Sequence, residues 1–167
     1  MQADLMYTTA QIGMALAGFA GLVTLFGRRA RRVDGGLNEI RFRSMIELAL
    51  TLTTFSLLPL IPFELGSDEA AAWRVASAAY AAATLTFLVH SVRRNRALMG
   101  RVLIAGGVTA ALLGVCIVES TVLALNAGGY FAPHESGVYF AALFLHFLAA
   151  AFFFIRLLYG AFPGDDD

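Results

Sequence analysis

The sequence predicts an all-α integral membrane protein, folded as a helical bundle with five transmembrane helices. Composition is the first reason, because 59% of the 167 residues are apolar and 14% are charged, whereas about a quarter of an ordinary soluble domain is charged. The mean hydropathy of +0.72 is the second reason. The third is the recurrence of apolar segments that are about one membrane span long. Lipid is therefore the expected solvent, and the classes of soluble enzyme are excluded.

Five segments are predicted to be helices that cross the membrane. At a rise of ~1.5 Å per residue, each is long enough for a hydrocarbon core of about 30 Å. The segments are approximately 6–27, 44–63, 71–92, 102–125 and 137–159. Turn-forming residues separate them, at Asp34-Gly35-Gly36, 62–66, Asn95 and 126–133. No break has room for a folded extramembrane domain, so residues 1–167 are predicted to form a single transmembrane domain.

The first segment is predicted to be a retained helix with its N-terminus outside. Asp4 precedes this segment, and the arginine cluster at 28–32 follows it. A cleavable signal peptide has the reverse order, with positive charge in front of the apolar stretch and small residues behind it.

The distribution of arginine supports this orientation. All 12 basic residues are arginine, and with the N-terminus outside only Arg74 lies on the outer side. The eleven that fall on the cytoplasmic side are Arg28, Arg29, Arg31, Arg32, Arg41, Arg43, Arg93, Arg94, Arg96, Arg101 and Arg156. Enrichment of basic residues in cytoplasmic loops is the positive-inside rule, which also predicts a cytoplasmic C-terminus.

The second helix combines prolines with a run of hydroxyl side chains. Pro59 cannot donate a hydrogen bond to the carbonyl of Phe55, so a kink is expected there. The hydroxyl side chains belong to Thr51, Thr53, Thr54 and Ser56. We interpret them either as the lining of a pore or as part of a kinked packing helix.

Small residues at four-residue spacing predict close helix packing. The first helix carries Gly13, Ala17 and Gly21, and the fourth carries Gly106, Ala110 and Gly114. Such stripes let the backbones of neighbouring membrane helices approach each other. Because a lone five-helix unit has a limited interior, we expect a homo-oligomer or docking on another membrane subunit.

Gln11, Glu119 and His146 are predicted to lie at similar depths in the outer half of the membrane. By helical rise, Glu119 lies ~9 Å and His146 ~13 Å from the outer helix ends. An acid in hydrocarbon is costly unless it is paired, hydrated or protonated, so it is a candidate functional residue. We interpret the cluster as an ion or proton pathway in which Glu119 binds the cation or proton and His146 shares it. The alternative is a hydrogen-bonded pair that only fixes helix register.

Glu47 and His90 form a second polar pair, near the cytoplasmic ends of the second and third helices. They are candidates for the inner mouth of the same pathway. Arg43 precedes Glu47 by four residues on the same helical face, so an interfacial ion pair is the simpler explanation of this acid.

The sequence contains no recognisable cofactor, metal or catalytic motif. Zero net charge predicts no nucleic-acid partner, and one cysteine cannot form a cysteine-based zinc site. His90 and His146 differ in depth by ~13 Å, too far to bind one haem iron within a monomer. His134-Glu135 begins like a zinc-protease motif, but Val138 stands where the second histidine belongs. We therefore predict that the protein is not an enzyme and has no cofactor.

The sequence thus favours a small multi-pass membrane protein that forms an ion or proton pathway as an oligomeric channel. The alternative is a structural or regulatory subunit of a larger membrane complex. Its cytoplasmic contact surface would then be the arginine-rich loop 28–43, which faces anionic lipid or a partner. Arginine in place of lysine, with abundant alanine, is typical of a GC-rich bacterial genome, so the expected location is a bacterial inner membrane.

Overall fold

The structure of the protein is a computed structural model, which describes residues 2–30, 35–94 and 107–161. Within those ranges the fold is all-α and contains no strand, which confirms the all-α part of the predicted fold class. The described helices are α1 (Gln2–Ala30), α2 (Gly35–Leu57), α3 (Leu60–Glu64), α4 (Glu69–Arg94), α5 (Gly107–Ala127) and α6 (Glu135–Ala161).

Several of these helices are long and apolar enough to cross a membrane. The described residues contain four such stretches, which are Ala3–Val23, Phe42–Glu64, Glu69–His90 and Glu135–Arg156. They coincide with the first, second, third and fifth predicted segments. The fourth predicted segment corresponds to a shorter apolar stretch of α5, Leu113–Ala127, and the predicted start near residue 102 lies outside the described residues.

Pro59 interrupts the second of these stretches. α2 ends two residues before the proline, and the short helix α3 begins one residue after it. Proline has no N–H to bond the Phe55 carbonyl, and its ring crowds the preceding turn of the helix. The predicted kink is therefore confirmed as a break between two helices.

The hydroxyl side chains of α2 bond back to their own helix. Thr51, Thr53 and Ser56 each donate to the carbonyl oxygen four residues earlier, over 2.7, 2.9 and 2.7 Å. Such bonds commit the hydroxyl proton to the helix backbone. These three side chains therefore favour the interpretation of α2 as a packing helix over that of a pore lining.

The turns differ from the predicted ones in detail. Gly35 and Gly36 already belong to α2, while Asp34 and Asn95 lie outside the described residues. Gly66, directly after α3, has a φ of 79°, a conformation that glycine adopts without the steric cost of a Cβ atom.

The chain divides into two compact units, each described by itself. The first comprises Met1–Leu57 and His146–Asp167, and the second comprises Leu58–Leu145. Accordingly, α6 contributes its N-terminal part to the second unit and the remainder to the first. The assignment of residues 1–167 to a single transmembrane domain stays a prediction.

In the first unit, α1 packs along α2. Ala20, Met45 and Ala49 form a buried core, against which Phe153 and Phe154 of α6 pack. The small alanine side chains leave little separation between the two helices, and the larger side chains fill the space around them.

Gly13 lies at a close approach between α1 and α2. A Cβ atom added at Gly13 would overlap Thr53 Oγ1 and lie 3.0 Å from the Ala49 carbonyl oxygen. Thr53 Oγ1 also lies 3.4 Å from the carbonyl oxygen of Ala10 on α1, which shares the hydroxyl proton with the nearer carbonyl oxygen of Ala49. The absence of a side chain at position 13 is therefore what lets the two backbones approach.

The other small residues predicted to pack helices lie in varied surroundings. Ala17 packs against the buried core, whereas a Cβ added at Gly21 meets none of the described atoms within 4 Å. Gly114 is exposed on α5. Gly106 lies outside the described residues, and so does the side chain of Ala110.

In the second unit, α4 packs against α5, and aromatic rings join α4 to the start of α6. The ring centroids of Trp73 and Tyr139 lie 5.4 Å apart, and those of Tyr80 and Tyr139 lie 5.8 Å apart. All three side chains are fully buried. Phe63 of α3 packs edge-on against Trp73 at 5.6 Å, an arrangement that adds to the energy of area burial.

Candidate functional site

Buried polar side chains in the second unit form the candidate functional site. Membrane helices seldom bury polar side chains unless these are paired or have a function. The buried polar residues described in this unit are Ser77, Thr84, Glu119, Ser120, Asn126 and Glu135. Four of them belong to two groups. Ser77, Asn126 and Glu135 form the Asn126 cluster together with Arg74, and Glu119 forms the Glu119–Tyr80 pair with Tyr80.

An ion pair between α4 and α6 forms one side of the Asn126 cluster. Arg74 Nη2 and Nε lie 2.9 and 3.3 Å from Glu135 Oε1. The Glu135 side chain is 5% exposed and the Arg74 side chain 40% exposed. Because Glu135 is the first residue of α6, its carboxylate also interacts favourably with the positive end of the helix dipole.

Asn126 joins three helices through its side-chain amide. The Nδ2 group donates to Ser77 Oγ on α4 over 2.8 Å and to the Glu135 carbonyl oxygen over 3.0 Å, while Asn126 itself lies near the end of α5. These contacts fix the orientation of the amide, because the flipped amide would point its oxygen at the Glu135 carbonyl oxygen. No donor among the described residues reaches Asn126 Oδ1, which is buried.

The turn after α5 lies directly against the Arg74 guanidinium. Gly129 in this turn has a φ of 77°, and a Cβ atom added there would lie 2.9 Å from Arg74 Cζ. Glycine is required at this position both for the backbone conformation and for the close approach. The turn therefore positions the guanidinium on Glu135.

Glu119 and Tyr80 form the second group. Glu119 on α5 is 2% exposed, and its carboxyl group interacts with the hydroxyl of Tyr80 on α4. Cys116, one turn earlier on α5, lies near the same carboxyl group. A buried acid thus lies near a phenol and a thiol.

Helical periodicity places both groups along the interface of α4 and α5. Glu119 and Asn126 are seven residues apart, two turns of α5, so they lie on one face and about 10 Å apart by helical rise. Leu123, which is fully buried, lies between them on that face. On α4, Ser77 and Tyr80 are three residues apart and therefore neighbours on the helix surface.

The three residues predicted to form an outer pathway fall in different units. Glu119 belongs to the second unit, and Gln11 and His146 belong to the first. His146 is buried, whereas Gln11 lies on the exposed side of α1. The pathway role of these residues stays a prediction.

Glu47 and His90, the predicted inner mouth, also fall in different units. Glu47 in the first unit pairs with Arg43, with Nε and Oε1 2.9 Å apart and side chains that are 28% and 58% exposed. This is the ion pair that the four-residue spacing predicts, and its position at the membrane interface stays a prediction. His90, in the second unit, is exposed on α4.

Arg74, Tyr80 and Asn126 were missed by reasoning from the sequence. Asn126 precedes two glycines and was interpreted only as part of a turn, while Arg74 was treated as an exception to the charge distribution. One indication was present in the sequence, because Arg74, Ser77 and Tyr80 recur at three-residue spacing in an otherwise alanine-rich helix.

Among the described residues, no three His, Cys, Asp or Glu side chains come together in a way that could hold a metal ion. Comparisons of the chain with protein-family models, curated proteins and solved structures give no match. Function is therefore inferred from the chemistry of the buried polar groups.

Proposed function

We propose that this chain is a five-span protein of the bacterial inner membrane and that it provides, as an oligomer, a path for protons or small cations. The N-terminus lies outside and the C-terminus in the cytoplasm. The observation that carries the proposal is the burial of the Glu119 carboxyl group beside a hydroxyl, within a helix that is mostly apolar.

Helix length and charge support the topology. α5 has 21 residues, which at ~1.5 Å per residue is sufficient for a hydrocarbon core of about 30 Å. If α5 is a span in addition to the four longer apolar stretches, successive loops lie on opposite sides of the membrane. Eleven of the 12 arginines are then cytoplasmic, as the positive-inside rule requires.

The surroundings of Glu119 support a role in transfer. A buried acid is destabilising in hydrocarbon, and such acids commonly mark ion or proton pathways. A tyrosine hydroxyl can donate to an ionised carboxylate and accept from a protonated one. Tyr80 can therefore hydrogen-bond Glu119 in both charge states, as a residue that alternately binds and releases a cation or proton requires.

Flux measurements on purified protein in liposomes test this function. Glu119→Gln keeps the size and hydrogen-bonding capacity of the side chain but cannot carry a charge, so it should abolish flux driven by a pH or ion gradient. Glu64→Gln is the matched control, because Glu64 is exposed on α3 and should leave flux unchanged. Equal flux through the wild-type protein and Glu119→Gln, at equal incorporation, would remove Glu119 from the mechanism.

The topology has its own test. In a Cys116→Ser background, single cysteines are introduced at the exposed positions 67 and 132 for the outer side and at position 98 for the cytoplasmic side. A membrane-impermeant thiol reagent added to intact cells should label the first two and spare the third. Labelling of position 98 from outside would contradict the five-span arrangement.

A second candidate function is that of a non-catalytic structural or regulatory subunit of a membrane complex. The Asn126 cluster favours it, because hydrogen bonds and an ion pair between three helices hold the second unit in one arrangement. Arginines of the segment 28–43, which the structure assigns largely to the end of α1 and the start of α2, would then contact anionic lipid or the partner subunit. Neutralising Arg28, Arg29, Arg31 and Arg32 should release a co-purifying partner, and its retention would argue against this segment as the docking surface.

A further inference from the structure

We propose that a second copy of this chain packs against the exposed side of α1, with Gln11 of each copy hydrogen-bonded to Gln11 of the other. This inference rests on the topology in the proposed function and names the surface through which two subunits of the oligomer meet. It is drawn from the exposure, the spacing and the chemistry of the side chains along α1.

Two faces of α1 follow the same alternating spacing of three and four residues. The first is the face along which α1 packs on α2, and it consists of Met6, Ala10, Gly13, Ala17 and Ala20. The second is exposed along its whole length, and we name it the Gln11 seam. It consists of Thr8, Gln11, Ala15, Gly18, Leu22 and Leu25. Alternation of three and four is the spacing by which one helix packs along another in a left-handed pair.

The Gln11 seam differs in chemistry from the exposed side chains that flank it. The flanking residues are large and apolar, namely Leu5, Tyr7, Ile12, Met14 and Phe19. In the seam, the four positions from Thr8 to Gly18 are instead polar or small. A Cβ atom added at Gly18 meets none of the described atoms within 4 Å, so the close approach that this glycine permits is not used within one copy. Hydrocarbon suits the flanks, whereas the seam suits the backbone of another helix.

Gln11 indicates what the neighbouring helix is. It lies eight residues after Ala3, the start of the first apolar stretch, and is therefore ~12 Å into that stretch by helical rise. Its side chain is exposed, so in a membrane its amide faces hydrocarbon, where no water satisfies a polar group. The hydroxyl of Thr8, by contrast, donates to the carbonyl oxygen of Asp4 over 2.8 Å.

A second Gln11 is the complement of the first. A glutamine amide carries a partly positive NH₂ group with two donors and a partly negative oxygen that accepts. Two such amides that face each other can therefore form two reciprocal hydrogen bonds. Hydrogen bonds of this kind between glutamine or asparagine side chains stabilise the association of membrane helices.

The shared orientation of the copies brings equal positions together. Copies with the same topology can be related by a two-fold axis along the membrane normal, so their α1 helices run parallel and each residue lies at the depth of its counterpart. Gln11 then meets Gln11, while Ala15 and Gly18 let the two backbones approach. Asp4 lies one turn before Thr8, at the outer end of the stretch, where water and salt screen the two carboxylates from each other.

Disulfide cross-linking in liposomes tests which side of α1 meets the second copy. In the Cys116→Ser background, the seam variants are Gln11→Cys, Ala15→Cys and Gly18→Cys, and the matched controls on the flanks are Ile12→Cys and Phe19→Cys. A disulfide requires Cβ atoms about 3.5–4.5 Å apart. Oxidation should therefore give covalent dimers on a non-reducing gel for the seam variants and few for the controls. Equal cross-linking of all five variants, or none in the seam, would overturn the proposal.

The strength of the dimer is measured by energy transfer between labelled copies as the lipid-to-protein ratio is raised. Gln11→Leu should weaken the dimer about three- to thirtyfold, the range found for hydrogen bonds between membrane helices. Gly18→Leu should prevent the close approach, and it is compatible with folding because position 18 has open space within its own copy. Phe19→Leu, on the flank, should dimerise like the wild-type protein. A Gln11→Leu dimer as strong as the wild-type dimer would overturn the role of Gln11.

Flux and dimerisation are separate measurements, so the two proposals can fail separately. Cross-linking in the seam without gradient-driven flux would keep this inference and overturn the pathway. Flux that depends on Glu119, in protein that does not cross-link through the seam, would keep the pathway and overturn this inference. Protein that stays monomeric at every lipid-to-protein ratio would also overturn it.

Discussion

Arg74 and Glu135 lie 61 residues apart in the chain, and their side chains meet at 2.9 Å between α4 and the first residue of α6. The Glu135 carboxylate is almost fully buried, while the arginine reaches it from a half-buried position beside the turn at Gly129. The contact therefore joins α4 to α6 at the end of the second unit where the Asn126 cluster lies.

Removing either partner of this ion pair should destabilise the second unit, but the two substitutions should differ in the size of the loss. Arg74→Gln leaves a buried carboxylate without its cation, so it should lower the unfolding midpoint in detergent more than Glu135→Gln, which leaves a half-buried arginine that can still reach water. The double variant Arg74→Gln with Glu135→Gln should be more stable than the sum of the two losses predicts. Strict additivity in this cycle would show that the two side chains are not coupled.

Asn126→Ala should destabilise the protein by about 1–3 kcal/mol. It removes two buried hydrogen bonds, one to Ser77 Oγ and one to the Glu135 carbonyl oxygen. Ser77→Ala is the matched comparison, because it removes only one of the two bonds and should cost less. The free energies are measured by titrating a denaturing detergent into micelles, and equal costs for the two variants would contradict the central position of Asn126.

Gly13→Ala should loosen the packing of α1 on α2. The added methyl group overlaps Thr53 Oγ1 and lies 3.0 Å from the backbone oxygen of Ala49, and overpacking of this kind costs about 1–3 kcal/mol. Gly21→Ala is the control, since the new methyl meets none of the described atoms within 4 Å and alanine is the better helix former by up to about 1 kcal/mol.

The two glycine variants are compared by thermal unfolding in the same detergent. The expected order of unfolding midpoints places Gly13→Ala below the wild-type protein and Gly21→Ala at or above it. Equal unfolding temperatures for the two variants would contradict the close approach of α1 and α2 at position 13.

Arg43→Gln should have little effect on stability. Its pair with Glu47 is a four-residue helix pair with both partners partly exposed, and such pairs contribute about 0.3–0.5 kcal/mol. Unfolding in detergent at low and high salt measures the change. A loss of several kcal/mol would indicate that Glu47 has a buried role, as the inner-mouth interpretation requires.

Much of the fold follows from local properties of the sequence. The four apolar stretches follow from hydrophobicity and from the rise of a helix, and the break at Pro59 follows from the missing proline N–H. All of these properties can be evaluated residue by residue. The pairing of Arg43 with Glu47 is equally local, because residues four apart on a helix are always neighbours.

The candidate site could be predicted only in part. The burial of Glu119 was expected from an acid within an apolar segment. Its neighbour Tyr80 was not, because a tyrosine in a membrane helix is equally compatible with an interfacial position. Asn126 was misjudged for a similar reason, since asparagine before two glycines favours a turn whether or not its amide bonds a second helix.

By itself, the sequence determined that this is a helical, lipid-compatible protein and which residues carry charge into its apolar segments. These properties depend on short stretches of chain and on the transfer of side chains from water to lipid. Only the tertiary structure decided that Arg74 contacts Glu135, that Asn126 joins three helices and that Glu119 lies beside Tyr80. Such contacts depend on the rotation and offset of one helix against another. Packing between distant segments sets both, and no local pattern encodes them.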